Sequence, residues 1–214
     1  MILRIAAAFS LLLGSVLLIL FFEWIGEGPF SGAPERHLRE MKERSVAPAT
    51  YRPMTFADFV ALPHGLPASR FEALEQRGAS IECYVKLMHQ SSDGDYHLSL
   101  SATPPPPLTQ LSEVITGEVT PQWLKGSHWW QWEPLQAALK PHSWLDPAWP
   151  GGPRRARISG WLMYDFQYDE PFLPNRRPRL PSAVPHRLTG WEIHPVTRIE
   201  LWDDSRGAYE EYTR

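Results

Sequence analysis

Hydrophobic positions fall into two regimes along this chain. Residues Ile5 to Phe22 (IAAAFSLLLGSVLLILFF) form an apolar run without a charge, bounded by Arg4 and Glu23. As a helix the run would extend about 27 Å, close to a bilayer hydrocarbon core of about 30 Å, with Trp24 at the interface. A secretory leader has a shorter apolar stretch and a small-residue cleavage site, whereas EWIGEGPF follows here. The pattern predicts an uncleaved transmembrane anchor over residues 1–25. Arg4 before the run, with Glu23 and Glu27 after it, predicts residues 25–214 on the outer side. The expected location is the inner (plasma) membrane, single-pass, with a periplasmic or extracellular C-terminal domain.

Residues 26–78 read as a linker with short helices. Pro34 to Arg44 pairs opposite charges at helical spacing, Glu35 with Arg39 and Arg39 with Glu43, which predicts a short solvated helix. Thr55-Phe-Ala-Asp58 looks like a capped helix start, and Ser69 to Gln76 like a second helix capped by Ser69.

From Ala79 the period becomes two. Ile81 to His89 is rich in β-formers, and Ser91-Ser-Asp-Gly94 is turn chemistry. In Asp95 to Ala102, Tyr96, Leu98 and Leu100 share one face while Asp95, His97, Ser99 and Ser101 share the other. Glu113 to Val119, Arg154 to Tyr164 and Leu188 to Trp202 complete five strands. Pro195 lacks an N–H and predicts a bulge or an edge in the last of them. A helix, Trp132 to Leu139, sits between strands three and four. This mainly β order is the connectivity of an OB-like barrel over residues 79–204, with 205–214 as a tail. A β-sandwich is the alternative fold and would want more strands.

Composition narrows the function classes. The net charge of -3 disfavours a nucleic-acid binder read over the whole chain. The one cysteine, Cys83, excludes an intramolecular disulfide framework and any multi-cysteine zinc site. Alternation groups it with Ile81 and Val85 as a small buried hydrophobe. There are 22 prolines, too many for a helical bundle. No Gly-rich phosphate loop, G-x-S-x-G elbow, H-E-x-x-H pair or EF-hand loop occurs.

Four strings share a pattern: Asp95-x-His97-Leu98, Glu118-Val-Thr-Pro121, Arg157-x-Ser-Gly-Trp161-Leu-Met-Tyr-Asp165 and Trp191-Glu-Ile-His-Pro-Val-Thr197. Together they resemble a family of uncharacterised bacterial proteins with OB-like barrels. The resemblance covers roughly residues 80–202 and implies the fold, with no activity attached. This chain departs from the pattern after Asp165, where Phe-Gln-Tyr168 lacks a histidine.

Candidate chemistry gathers at strand ends. Asp95 and His97 share one strand face, Glu192 and His194 another, and Glu118 and Asp165 close strands three and four. As metal candidates, His97, His194, Glu192, Asp165 and Asp95 would suit Zn²⁺ or Mn²⁺ through imidazole nitrogen and carboxylate oxygen. The plainer reading is a set of His–carboxylate pairs that fix strand register. Residues 150–190 carry seven arginines against three acids. There Trp161, Arg176, Arg177 and Arg179 are candidate ligand-binding residues for an envelope polymer, anionic lipid or protein partner.

The expected function is a membrane-anchored, non-enzymatic binding or scaffolding module at the cell envelope, with no cofactor and no catalytic residue. Two alternatives stand beside it. One is a metal-dependent hydrolase using His97, His194, Glu192 and Asp165. The other is a nucleic-acid-binding OB protein facing the cytoplasm.

Overall fold

Seven strands build one sheet, and its path is set by how long β2 is. The computed structural model describes residues 15–17, 32–66, 70–105, 113–125, 130–142, 149–168 and 186–213. The strands are β1 (Tyr51–Met54), β2 (Gly78–Gln90), β3 (Tyr96–Ser101), β4 (Glu113–Val119), β5 (Arg155–Tyr164), β6 (His186–Asp203) and β7 (Ala208–Glu211). Residues 78–84 of β2 pair with β5, and residues 84–90 pair with β3. Tyr84 therefore faces Ser101 on one side and Arg155 on the other. The order runs β2–β3–β4–β6–β5 and returns to β2, which closes the ring; β4 and β6 are parallel. One closed sheet replaces the two stacked layers of the sandwich alternative.

Two of the seven strands escaped the period-two reading. β1, inside the expected linker, has only four residues and contains Pro53; it pairs in parallel with β2. β7, inside the expected tail, pairs with β6 from Glu200↔Glu211 to Asp203↔Ala208. Both are too short and too polar to show an apolar alternation.

The helices are α1 (Ala33–Lys42), α2 (Phe56–Val60), α3 (Glu72–Glu75), α4 (Pro121–Leu124) and α5 (Trp132–Leu139). α2 starts where its sequence says. The Thr55 hydroxyl accepts from the Asp58 N–H at 3.1 Å, and the Asp58 carboxylate accepts from the Thr55 N–H at 2.7 Å, a complete capping box. α3 is shorter than the predicted 69–76 helix. Its cap position is Phe71, whose ring is buried against Tyr164 and Trp191 at centroid distances of 4.1 and 5.3 Å. Ser69, the predicted cap, lies outside the described residues, as do Arg176, Arg177 and Arg179.

Residues 1–40 and 41–214 form two units. In the first, residues 15–17 are helical and exposed, and the rest of the Ile5–Phe22 run lies outside the described residues. Among the described residues, no helix is long and apolar enough to cross a membrane.

The second unit has its apolar core inside the ring. Leu98, Leu100, Ile115, Val119, Ile158, Ile193, Val196 and Ile199 are all buried there, and so is Cys83. Val196 reaches that face only because β6 is bulged, and a second irregularity after it brings Ile199 back to the same side. Opposite Ser159, Gly160 and Leu162 on β5 stand Arg198, Val196 and Ile193 on β6, so β6 carries an extra residue on each side of Val196. The bulge expected at Pro195 is present.

Candidate functional site

Part of the outer face of β3, β4 and β6 is also buried, and it holds a cluster of charged side chains. The register explains how they meet. His97 pairs directly with Glu118 across β3–β4, and Thr116 of β4 faces Glu192 of β6. Alternation then turns His97, Glu118, Glu192 and His194 away from the apolar core. Asp95 ends the β2–β3 turn, and Asp165 follows β5 directly. Asp95, Glu118, Asp165, Glu192 and His194 are each no more than 5% exposed. Charges almost never reach such burial without partners.

Glu118 is the hub. Its Oε1 lies 3.0 Å from His97 Nδ1, and its Oε2 lies 3.1 Å from His194 Nδ1, so one carboxylate stands between two imidazoles. His194 Nδ1 is also 2.9 Å from Glu192 Oε1, while His194 Nε2 faces Asp95 Oδ2 at 3.6 Å. Arg187 Nη2 lies 3.1 Å from Glu192 Oε2 and 3.7 Å from Glu118 Oε1. Its guanidinium carbon is 3.8 Å from the centre of the Tyr168 ring.

The electrostatics follow from that packing. Burial alone would lower the His194 imidazole, but Glu118 and Glu192 outweigh it and push it up to about 10. Burial opposes ionisation of Glu118 as well, yet His194 and His97 hold its carboxyl well below the usual range. Asp95 is pushed up to about 6 by burial, against the pull of His194. Asp165 also rises to about 6, from burial and then the Glu192 charge. Lys42, at the end of α1, belongs to the same field. Burial would lower its ammonium, but Glu192, Glu118, Asp165 and Asp95 hold it above the ordinary lysine range.

Four buried polar atoms in this cluster have no hydrogen-bond partner: Glu118 Oε2, Glu192 Oε2, His194 Nε2 and Arg187 Nη1. Each is close to an opposite charge or in the same cluster, but none is aligned to share a proton. Leaving such groups unsatisfied costs about 1–3 kcal/mol apiece. Asp95, Glu118 and His194 could together hold a metal ion, with ligand atoms within 4.8 Å of one another. An ion bound tetrahedrally at about 2.0–2.2 Å holds its ligands about 3.4 Å apart, so these atoms would draw together by about 1 Å to share one.

No protein-family model and no curated protein matches this chain.

The structure brings all five sequence-nominated metal candidates, Asp95, His97, Asp165, Glu192 and His194, into one cluster. Lys42 and Arg187 are the members that the sequence places elsewhere, Arg187 in the arginine-rich stretch and Lys42 on a solvated helix face, because the i,i+4 charge pairs of α1 give no sign of a tertiary acid cluster. Trp161 is already occupied: its indole N–H donates to the Val46 carbonyl at 2.8 Å, and the Arg44 guanidinium lies 4.5 Å from its ring centre. Six tryptophans fall between Trp123 and Trp149, and of these Trp130 is buried in the core while Trp123 and Trp132 pack against it.

A second feature lies on another flank of the ring. An open groove of about 810 Å³ has the outer faces of β2, β5 and β6 as its floor, and β1 with the start of α2 as its wall. It shares no lining residue with the charged cluster.

Proposed function

We propose that this protein is a metal-binding module, holding one divalent ion through Asp95, Glu118 and His194 on the outside of an OB-like barrel. The OB-like reading is supported by the ring order. Counting β2 to β6 as strands one to five, the first pairs with both the second and the fourth, and the third runs parallel to the fifth. Helices α4 and α5 fall between strands three and four. Ligands of such barrels bind over the second and third strands, between the first–second and fourth–fifth loops. Asp95 belongs to the first of these loops and Asp165 begins the second.

The observation that carries the reading is the set of buried orphan atoms. Two of these orphans, Glu118 Oε2 and His194 Nε2, belong to the Asp95–Glu118–His194 group whose ligand atoms lie within 4.8 Å of one another, and once an ion displaces the His194 proton, carboxylate oxygen and imidazole nitrogen are the donors that suit Zn²⁺ or Mn²⁺. Such an ion would make a bound water nucleophilic near neutral pH, which is the chemistry of the hydrolase alternative. Arg187 and Lys42 would balance the carboxylates that the ion does not engage.

The test is metal content. Purified full-length protein, dialysed against Zn²⁺ or Mn²⁺ and assayed by elemental mass spectrometry and calorimetry, is expected to retain one ion per chain. Asp95→Asn and His194→Gln should each weaken binding at least about tenfold. Equal retention by wild type and the double variant, or none by either, would overturn the reading.

We also propose that the Ile5–Phe22 run tethers this module to the inner membrane with residues 25–214 outside. That proposal stands on the length and apolarity of the run and on the charges flanking it.

A further inference from the structure

We infer that the groove on the β2–β5–β6 flank binds a neutral, polyhydroxylated ligand, a short oligosaccharide. Two cross-strand rows make its floor. Glu82, Arg157 and Glu200 stand side by side on the three strands, and Ser80, Ser159 and Arg198 form the next row. Arg157 lies 3.3 Å from Glu82 and 3.4 Å from Glu200, and Arg198 lies 3.3 Å from Glu200 and 3.2 Å from Glu211. These pairs are reachable from solvent: the side chains of Arg157, Arg198 and Glu82 are 33%, 39% and 47% exposed.

The floor therefore offers donors and acceptors in alternation and almost no net charge. A polyanion would meet carboxylates at every second position, and a polycation would meet guanidiniums. A ligand with many hydroxyls, each both donor and acceptor, satisfies such a surface without a charge penalty. The wall adds the aromatic side chains of Tyr51 and Phe56, residue types that pack against the apolar face of a sugar. Tyr51 is fixed there, its hydroxyl 2.9 Å from that of Thr197. An added peptide strand is the poorer occupant. β1 borders the groove, and Pro53 removes an N–H from its four-residue ladder. The volume falls in the range of about 300–1,000 Å³ usual for small-ligand clefts.

This inference is independent of the metal reading. The full chain in mild detergent would be applied to an array of neutral and sulfated oligosaccharides, and the neutral hits titrated by calorimetry. Ala57→Trp places an indole in the groove from an exposed position on α2 without touching the Thr55–Asp58 capping box. Arg157→Gln removes the central cation of the floor and serves if the first variant does not fold. Retention of neutral glycans, weakened at least tenfold in either variant with the melting temperature unchanged, is the expected result. No neutral glycan retained, tighter binding of the sulfated set, or undiminished binding by both variants would overturn it.

Discussion

Asp165 shows how a single carboxyl can be read through pH. It is 1% exposed, and its carboxyl is pushed from 3.8 to about 6 by burial and by Glu192. A folded-state value above the unfolded one means that the stability contribution is complete below about pH 4 and is lost as pH rises through about 6. Asp165→Asn keeps the oxygen that accepts the Gln167 N–H at 3.0 Å and removes the ionisation. Thermal melts of the two proteins are expected to coincide near pH 4 and to separate by pH 8. There the variant should be more stable, by up to about 3 kcal/mol. A variant that is less stable at pH 8 would mean that Lys42 and Arg187 hold the ionised form in place. Much of this cluster was legible from alternation alone, because His97 and Glu192 sit among apolar neighbours at period two. The cations were not. Lys42 lies on a helix and Arg187 on the irregularly paired start of β6, and which acid a long flexible side chain reaches is decided by tertiary packing.

At the scale of the element, β6 determines the site. Ile193 points into the core and Glu192 and His194 point out; the bulge then lets Val196 turn inward as well. Gly160 on β5 makes room for it. A Cβ there would strike the Pro195 carbonyl oxygen and come within 2.7 Å of Ile193 Cγ2 and 2.9 Å of the Val196 Cα. Gly160→Ala is expected to cost about 1–3 kcal/mol of stability in urea denaturation, because the obstruction is backbone and cannot rotate aside. A loss below about 0.5 kcal/mol would show that the bulge can relax. The sequence announced this feature through Pro195, and the strands with long alternation were found to within a few residues. β1 and β7 were invisible because a four-residue strand earns its place from pairing partners rather than from its own pattern. The end of the predicted helix over 69–76 was lost for a related reason. Phe71 gains more by packing on Tyr164 and Trp191 than a short helix gains by another turn.

For the whole molecule, ring closure and the apolar run ask different questions. Closure was legible as a strand order, since a β-β-β-α-β-β succession leaves few alternatives. Sidedness with respect to a membrane is carried by flanking charges alone, and the mixed charges of 34–44 dilute them. Fusions of alkaline phosphatase and of a fluorescent protein to the C-terminus are expected to give phosphatase activity without fluorescence. The reverse pattern would put the closed sheet in the cytoplasm and revive a nucleic-acid partner.

β6 also has a consequence for how the two flanks behave together. It lends Glu192 and His194 to the ionic centre and, past the bulge, Arg198 and Glu200 to the groove. One backbone thus carries two surfaces whose spacing is fixed by the same few peptide units. An occupant that slides this strand along its neighbours to suit itself on one flank must reset the geometry on the other.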